Sequence, residues 1–435
     1  MLFLYFQKDI ETMDRKELEK LQLERLKHIV RYCYDNVKFY HDRLDKINFN
    51  PDKIKTLKDI EYIPYTTKED IRDNYPYGLF AVDRKKIVRI HASSGTTGKP
   101  TVVGYTRNDL DMWSDIVARL VTAAGVTDED TVQISFGYGL FTGALGLHYG
   151  LEKVGASVIP ISSGNTQKQI MVMKDFGTTA LVSTPSYALY MFESAKEMGI
   201  TKEELKLKTG LFGSEGCTPE MRNQIENTYG IFATDNYGMS ELVGPGVSGE
   251  CIYRCGMHIA EDHFLPEIID SNTLEVLKPG QTGEVVFTTL TKEGFPLLRY
   301  RTKDISRLDY EICKCGRTHA RMDKIKGRSD DMLKIRGVNV FPSQIESVIT
   351  SIEGTSPHYQ LVVRHEGYFD TLEVKIELTN EDMLERYSSL VEFQNYIKDQ
   401  LKSILGINCK VSFVEPKSLE RFEGKAKRIL DLRNS

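Results

Sequence analysis

Hydrophobic and polar positions recur with two different periods along the chain, and each period predicts one kind of element. Between positions 14 and 37 apolar residues recur at steps of three and four among many charges, which predicts an amphipathic packing helix. Farther along, β-branched runs at 86–90, 131–135 and 156–160 alternate with helical patterns at 107–124 and 165–175. This alternation is typical of α/β layers.

The pattern changes twice toward the C-terminus. From 264 to 310 turns punctuate strand-like runs such as 283–289, which predicts a β-rich subdomain over about 245–326. After Gly327 a separate pattern begins, with strands near 358–365 and 371–378, a helix around 382–405 and a strand at 409–415. Because about 105 residues can enclose a core of their own, we expect a large N-terminal domain over 1–326 and a small α+β domain after it.

Composition narrows the function classes. The 435 residues are 40% hydrophobic and 27% charged, as in soluble globular proteins. A net charge of −5 without any block of Lys or Arg argues against a nucleic-acid partner. No run of about 18 apolar residues occurs, and the apolar opening at 1–6 is too short for a signal peptide. We therefore expect no membrane partner and a cytoplasmic location.

One loop concentrates groups that bind phosphate. The segment His91-Ala-Ser-Ser-Gly-Thr-Thr-Gly-Lys-Pro-Thr101 follows a predicted strand. Its glycines allow close backbone approach, its hydroxyls and amides donate hydrogen bonds, and its lysine supplies a mobile cation. It differs from a Walker A loop, because Ser93 and Pro100 occupy positions that this pattern reserves for glycine and for Ser or Thr. A plain surface turn is the alternative. The predicted contacts are Ser93, Ser94, Gly95, Thr96, Thr97, Gly98 and Lys99.

The complete loop resembles the phosphate loop of the adenylate-forming superfamily, and further motifs of that superfamily follow in the expected order. They are Gly213-Ser-Glu-Gly216, Asp235-Asn-Tyr-Gly-Met-Ser-Glu241, Tyr300-Arg-Thr-Lys-Asp304, Gly327-Arg-Ser-Asp-Asp-Met332 and Arg421-Phe-Glu-Gly-Lys-Ala-Lys-Arg428. Alone, a tyrosine is usually a core residue and an aspartate a turn or surface residue. The resemblance therefore depends on the ordered set.

This resemblance implies a nucleotide site. Tyr237 would lie on the adenine, since a flat aromatic face suits a purine. Glu241 would hold Mg²⁺, because a hard cation prefers carboxylate oxygen. Asp304 would accept hydrogen bonds from both ribose hydroxyls. The other implied nucleotide contacts are Ser214, Glu215, Asp235, Asn236, Gly238 and Met239.

The resemblance also implies a moving lid. Segment 327–330 would be the hinge, with Arg328 contacting the nucleotide and Asp330 as the pivot. The small, mobile α+β domain over 331–435 would then rotate between two half-reactions, and residues 335–340 would enter the site for thioester formation.

A basic segment near the C-terminus completes the implied machinery. Lys425 would reach the substrate carboxylate and the α-phosphate during adenylation, with Lys427 as the alternative. A basic segment of this kind is more often simply solvated when it stands alone. The residues with an implied catalytic role are thus Lys425, Glu241 and Lys99.

The resemblance is closest to the phenylacetate–CoA ligase family and extends over essentially the whole chain. The glycine-rich segment 136–145 carries aromatic rings that suit a flat ligand. Phe136, Tyr138 and Phe141, together with Gly213, are predicted pocket walls, and a core position for one or two of the aromatics is the alternative. No cation for a second carboxylate is visible, which favours a monoacid, with phenylacetate first, and leaves ring substituents open.

Two short segments contain residues of the kinds that bind metal ions. Cys251-Ile-Tyr-Arg-Cys-Gly-Met-His258 and Cys313-Lys-Cys315 supply soft sulfur and imidazole, which favours a structural, tetrahedral Zn²⁺ site. The predicted ligands are Cys251, His258, Cys313 and Cys315, with Cys255, His263 and His319 as spare donors. A set of free thiols on loops is the alternative.

The implied activity is that of an ATP-dependent, AMP-forming acid–thiol ligase of phenylacetate catabolism. It would adenylate an aryl-acetic acid and pass the acyl group to coenzyme A, giving acyl-CoA, AMP and pyrophosphate. Two alternatives stay open, namely an enzyme that loads another aryl acid onto a carrier protein or amine, and a nucleotide-binding module without turnover. The expected cofactors are ATP/AMP, Mg²⁺, coenzyme A and structural Zn²⁺, and the expected partners are small-molecule substrates. The oligomeric state stays open, and a homodimer is compatible with the sequence.

Overall fold

The structure is a computed structural model that describes residues 4–93, 100–330, 333–335, 338–366, 369–379, 387–422 and 426–433. Its α-helices are α1 (Lys8–Glu11), α2 (Arg15–Asn36), α3 (Lys38–Lys46), α4 (Lys68–Asp73), α5 (Arg107–Ala123), α6 (Gly143–Val154), α7 (Thr166–Asp175), α8 (Pro185–Glu197), α9 (Pro219–Tyr229), α10 (Pro342–Ser351) and α11 (Tyr387–Leu405). Within the described residues, none of these helices is long and apolar enough to cross a bilayer.

The strands fall into one large sheet and three small ones. They are β1 (Arg89–Ala92), β2 (Val102–Tyr105), β3 (Thr131–Ile134), β4 (Ser157–Ile159), β5 (Ala180–Ser183), β6 (Thr209–Gly213), β7 (Phe232–Met239), β8 (Gly244–Glu250), β9 (Met257–Ile259), β10 (Phe264–Ile269), β11 (Thr282–Thr289), β12 (Tyr300–Asp309), β13 (Arg321–Met322), β14 (Gly327–Arg328), β15 (Leu333–Ile335), β16 (Val338–Val340), β17 (Thr355–Glu366), β18 (Phe369–Leu378), β19 (Lys410–Val414) and β20 (Ile429–Asp431).

The large sheet has a parallel half and an antiparallel half. Its order is β10-β11-β12-β13-β9-β8-β7-β6-β5-β3-β4, and β14 adds to β12. The strands from β4 to β7 are parallel and are connected through α6, α7, α8 and α9, whereas the strands from β7 to β10 are antiparallel. This arrangement confirms the predicted α/β layers with a β-rich part after them.

Both faces of the parallel half are covered, because successive side chains on a strand point to opposite faces. Val182 and Leu211 belong to the main core, which also contains Trp113 of α5. Their neighbours Leu181 and Phe212 belong to a second core beneath α7, α8 and α9.

The C-terminal part has a core of its own, and this confirms the predicted α+β class. Strands β17 and β18 are antiparallel, β19 lies parallel to β18 at one edge, and β20 lies parallel to β17 at the other. Helices α10 and α11 pack on this sheet through side chains such as Ile345, Ile349, Ile397 and Leu401.

One predicted element begins at the wrong residue. The strand expected at 86–90 starts at Arg89, because residues 84–86 form a single 3₁₀ turn. Pairing with the next strand begins only where the Val88 amide donates to the Tyr105 carbonyl. The β-branched residues of this run therefore gave the element type correctly but not its start.

Candidate active site

The parallel strands direct their carboxyl ends to one edge of the sheet. Strands β3, β5, β6 and β7 end there. The segments that follow them carry, in the same order, the aromatic run at 136–145, Ser186, Glu215 and Glu241. In open α/β sheets ligands bind outside this edge. Topology alone therefore places four separate sequence segments around one cleft.

Two glycines let the strands meet closely at this edge. A Cβ on Gly213 would lie 2.6 Å from the Asn236 carbonyl oxygen, and one on Gly238 would lie 1.7 Å from the Gly244 carbonyl oxygen. No side chain fits at either distance. The pairing of β7 with β8 shifts register between Tyr237 and Gly238, and such a bulge re-aims the side chains that follow it.

Tyr237, Asp304 and Arg328 form a connected group at this edge. The Tyr237 hydroxyl donates to Asp304 Oδ2 at 2.6 Å, and Arg328 Nη1 donates to Asp304 Oδ1 at 3.0 Å. Strand pairing sets the second contact, since Asp304 of β12 is the register partner of Arg328 of β14. Burial raises the pKa of the Asp304 carboxyl, which Arg328 partly offsets, and burial beside Asp304 raises the pKa of Tyr237.

The neck of the phosphate loop lies beside Glu241. The Ser93 amide donates to the Thr101 carbonyl at 3.0 Å, and the Thr101 amide donates to the Ser93 hydroxyl at 3.0 Å. The Thr101 hydroxyl donates to Glu241 Oε1 at 3.3 Å. Residues Ser94, Gly95, Thr96, Thr97, Gly98 and Lys99 lie outside the described residues.

Two residues next to Tyr237 are engaged in holding β7. Asp235 pairs with Arg222 at 2.7 Å and with Lys324 at 2.9 Å. The Asn236 side-chain amide donates from Nδ2 to the Phe212 carbonyl of β6 at 2.7 Å. Their roles as nucleotide contacts, and that of Met239, stay predictions.

The Ser214-Glu215 pair divides into an exposed and a bridging residue. Ser214 is exposed and adopts a positive φ of 71°. Glu215 Oε1 accepts from the Ser186 amide at 2.7 Å, and Glu215 Oε2 accepts from the Ala426 amide at 3.2 Å. The carboxylate therefore links the start of α8 to the C-terminal part, and the predicted nucleotide contacts stay predictions.

The predicted hinge residue Asp330 lies against Arg328. Its carboxylate accepts from Arg328 Nε and Nη2 at 2.9 Å each, so Arg328 joins Asp304 to Asp330. Lys425 lies outside the described residues, whereas its alternative Lys427 is described and exposed. The pivot and lysine roles stay predictions.

The aromatic run is anchored to the same edge. Phe136 is buried, whereas Phe141 is 45% exposed. Tyr138 shares a hydrogen bond of 3.1 Å between its hydroxyl and His148 Nδ1. At the end of the run, the Thr142 hydroxyl lies 3.1 Å from the hydroxyl of Ser240, the residue before Glu241.

The four predicted metal ligands come together away from this cleft. One donor atom from each of Cys251, His258, Cys313 and Cys315 lies within 4.8 Å of the others. Cys251 Sγ and Cys313 Sγ are 3.8 Å apart, and Cys315 Sγ is 3.5 Å from His258 Nε2. A tetrahedral zinc site has sulfur–sulfur edges of ~3.8 Å and sulfur–nitrogen edges of ~3.6 Å. Burial lowers the pKa of His258, which favours the neutral imidazole that a metal requires.

Cys255 and His263 are engaged elsewhere, and His319 is engaged through one of its two ring nitrogens. Cys255 is exposed and its thiol donates to the Tyr253 carbonyl. His263 contacts Asp262 and the Thr291 hydroxyl through its two ring nitrogens. His319 Nδ1 lies 3.0 Å from the Ile259 carbonyl oxygen.

Comparison with known proteins gives the family. Residues 16–290 match the AMP-binding enzyme family and residues 337–433 match the AMP-binding enzyme C-terminal domain. The chain is 46% identical to a phenylacetate-coenzyme A ligase of Thermus thermophilus, over 99% of this chain and 100% of the relative, and 48% identical to that of Escherichia coli, over 98% and 97%. The chain belongs to the phenylacetate–coenzyme A ligase family.

Solved structures also distinguish two arrangements of this fold. A 2-hydroxyisobutyryl-CoA ligase in the postadenylation state, in complex with 2-HIB-AMP, gives a TM-score of 0.93 at 27% identity, covering 99% of this chain and 92% of that one. The same ligase with 2-HIB-AMP and CoA in the thioesterification state gives 0.74 at 28% identity, covering 99% and 93%. This member of the phenylacetate–coenzyme A ligase family is therefore arranged more like the postadenylation state.

Sequence reasoning missed two lysines beside Glu241. Lys68, the first residue of α4, places Nζ 3.6 Å from Glu241 Oε1. Lys292 is fully buried and donates to the Leu242 carbonyl, and burial lowers its pKa to about 8. Neither lysine belongs to a motif, and a lone lysine carries no pattern that marks it as buried or close to a distant carboxylate.

Proposed function

We propose that this protein is an AMP-forming phenylacetate–CoA ligase. It activates phenylacetate with ATP and transfers the acyl group to coenzyme A, giving phenylacetyl-CoA, AMP and pyrophosphate. Two groups of contacts at the carboxyl edge of the parallel strands carry the proposal. In one, Tyr237 and Arg328 donate to Asp304, and in the other, the phosphate-loop neck donates to Glu241. The family membership supports the choice of acid and acceptor, because the relatives at 46% and 48% identity are phenylacetate-coenzyme A ligases.

In the first half-reaction a carboxylate oxygen of the acid attacks the α-phosphorus of ATP, the bond to the bridging oxygen breaks, and pyrophosphate leaves. Asp304 holds the ribose, since each of its oxygens retains a lone pair beyond its present partner. Tyr237 supports the adenine. Lys425 stabilises the charge that gathers between carboxylate and α-phosphate, and the loop with Lys99 holds the outgoing phosphates.

Glu241 is the proposed Mg²⁺ ligand. Its buried carboxylate and the Thr101 hydroxyl beside it are hard oxygen donors, which this cation prefers. The partly exposed Lys68 ammonium can turn outward when a cation enters. Magnesium, when bound, neutralises charge on the phosphate oxygens.

In the second half-reaction the thiol sulfur of coenzyme A attacks the acyl carbon, the carbon–oxygen bond to the phosphate breaks, AMP leaves and the thiol proton is released. Different groups must then surround the same carbonyl. We propose that the lid at 331–435 rotates against the domain at 1–326 about segment 327–330, with Asp330 as its pivot. Residues 335–340 then enter the cleft.

The aromatic run forms one wall of the proposed acid pocket. Phe136 and Phe141 both lie against Gly143. Gly213, which lies against Asn236, is the proposed wall on the neighbouring strand. A flat ring packs well between such surfaces. Tyr138 faces His148, so its hydroxyl is already engaged and a ring hydroxyl on the acid would have to compete for it. This contact favours unsubstituted phenylacetate.

Zinc is the proposed occupant of the Cys/His cluster, meaning Cys251, His258, Cys313 and Cys315. The donor spacing fits a closed tetrahedral site, which leaves no position open for catalysis and so indicates a structural role. None of the seven cysteines, all of which the structure describes, forms a disulfide, as suits a reducing compartment such as the cytoplasm.

Acid-dependent pyrophosphate release, measured with and without coenzyme A, tests the proposal. Phenylacetate should give a slow release that coenzyme A accelerates, with phenylacetyl-CoA and AMP as products in equal amounts. If release does not depend on coenzyme A but rises with a phosphopantetheine carrier protein or an amine, the acyl acceptor is that molecule and not coenzyme A. If no aryl acid gives pyrophosphate release, the protein is a nucleotide-binding module without turnover.

A further inference from the structure

The C-terminal part contacts the parallel half along α9, where α10 packs, and along α8, where a seam of ion pairs forms. Glu193 of α8 lies 3.1 Å from His358 Nε2 and 3.7 Å from Arg421 Nε, and Glu197 pairs with Lys417. The carboxylates of Glu193 and Glu197 are 36% and 54% exposed. Glu197 and Lys417 are both exposed, and because exposed ion pairs contribute little, this pair selects the orientation only weakly, whereas the two partners of Glu193 are more buried.

Glu215 makes a different kind of contact in the same seam. One oxygen accepts from the Ser186 amide at 2.7 Å, and the other accepts from the Ala426 amide at 3.2 Å. Ser186 lies in the first turn of α8, where backbone amides have no partner within the helix. A partly buried carboxylate that accepts from two amides forms charge-assisted bonds, which are stronger than neutral ones.

The second bond joins the cleft to the chain directly after Lys425. Ala426 is bonded to a loop that begins at Gly213, the last residue of β6. On the C-terminal side of Ala426, Arg428 pairs with Glu346 at 3.0 Å and its guanidinium lies 4.3 Å from the Tyr359 ring centre. The segment is therefore fixed to its own domain by Arg428 and to the other domain by Glu215.

We propose that Glu215 is a positioning residue for the adenylation lysine. Its carboxylate accepts from the backbone amide of Ala426, the residue directly after Lys425, and the chain is arranged more like the postadenylation state. The Ser186 amide fixes the carboxylate at its other end. Lid rotation requires the bond to Ala426 to break, so Glu215 favours the first half-reaction and is not needed for the second. This inference rests on the proposed function and on the lysine role of Lys425.

The test separates the two half-reactions in Glu215→Ala. Phenylacetate-dependent exchange of pyrophosphate into ATP should fall about 10- to 100-fold at saturating ATP, the range for loss of a hydrogen bond to a charged group. The KM for ATP should stay within about twofold of wild type. Thioester formation from supplied phenylacetyl-adenylate and coenzyme A should be unchanged or faster.

A second pair of variants connects the effect to the lysine. Ala426→Pro removes the donor amide but leaves Glu215 in place, and it should reproduce the split between half-reactions. In a Lys425→Ala background, Glu215→Ala should add no further loss of exchange. Glu215→Gln, which keeps one acceptor oxygen, should retain more exchange than Glu215→Ala.

Glu197→Ala is the matched control, because it removes an exposed carboxylate that pairs with an exposed lysine in the same seam, and exchange should change less than about threefold. A raised KM for ATP with exchange preserved at saturation would make Glu215 a nucleotide contact and overturn the inference. Equal losses in both half-reactions, or a full additional loss in the Lys425→Ala background, would also overturn it. If wild type itself performs neither half-reaction, the proposed function fails and not the role of Glu215.

Discussion

The cleft and the Cys/His cluster both gather polar side chains from distant parts of the chain, but they satisfy them differently. In the cluster, four donor atoms lie within 4.8 Å of one another, and the three cysteines are at most 4% exposed. In the cleft, the polar groups pair with one another, as Tyr237 and Arg328 do with Asp304 and as Lys68 does with Glu241.

This difference indicates two kinds of site. Donors that converge on one point at metal–ligand spacing are suited to an ion that stays, and their free energy of binding adds to the stability of the fold. Paired groups can exchange a protein partner for a ligand partner at small cost, because neither state leaves a buried group unsatisfied. The groups of the cleft are thus suited to ligands that bind and leave, and the cluster is suited to an ion that stays bound.

The largest expected effect tests the cleft. Lys425→Ala should lower phenylacetate-dependent pyrophosphate exchange about 100- to 1,000-fold, the usual loss when one group that stabilises transition-state charge is removed. Thioester formation from supplied phenylacetyl-adenylate should persist. Lys427→Ala, two residues away and exposed, should change exchange less than about threefold. Equal loss of both half-reactions in Lys425→Ala would remove the assignment.

The next effect tests the cluster. Cys315→Ser should leave less than about half an equivalent of zinc in the purified protein and lower the free energy of unfolding by about 3 kcal/mol, because the closed site loses a ligand. Metal analysis and urea unfolding measure the two quantities. Activity per folded molecule should hold, since the cluster lies apart from the cleft.

Cys255→Ser is the control for this experiment. Its thiol is exposed and lies outside the cluster, so zinc content and unfolding should match wild type. Wild-type protein that carries no zinc and is equally stable after chelation would show that the cysteines are ordinary buried thiols.

The parts of the molecule that sequence predicted best are contiguous in the chain. The strand at 131–135 and the helix at 107–124 carry their period within a few residues and appear as β3 and α5. The Cys/His residues were recognisable because two short segments contain all four. The short strands β13 and β14 were not predicted, since two residues cannot display a period.

The parts that sequence could not predict depend on pairing between distant residues. Nothing near Lys68 indicates Glu241, and nothing near Glu215 indicates Ala426, because these contacts exist only once the sheet order is known. For Asp304 and Arg328, the sequence predicted the residues but not their contact. Each was selected from its motif, but their contact follows from the register of β12 against β14.

The smallest expected effect tests whether a paired group in the cleft also binds the ligand. Asp304→Asn keeps the shape of the side chain but loses the charge that Arg328 pairs with and that the ribose hydroxyls would use. We expect kcat/KM for ATP to fall about 10- to 50-fold, as for loss of hydrogen bonds to a charged group, mainly through KM. Asp309→Asn is matched to it, since Asp309 lies on the same strand and pairs with Arg321 at 2.6 Å. That control should leave kcat/KM within about threefold of wild type. If both variants lose activity equally, Asp304 stabilises β12 and does not bind the ribose. The ion pairs of the cleft would then have a structural role, as the cluster does.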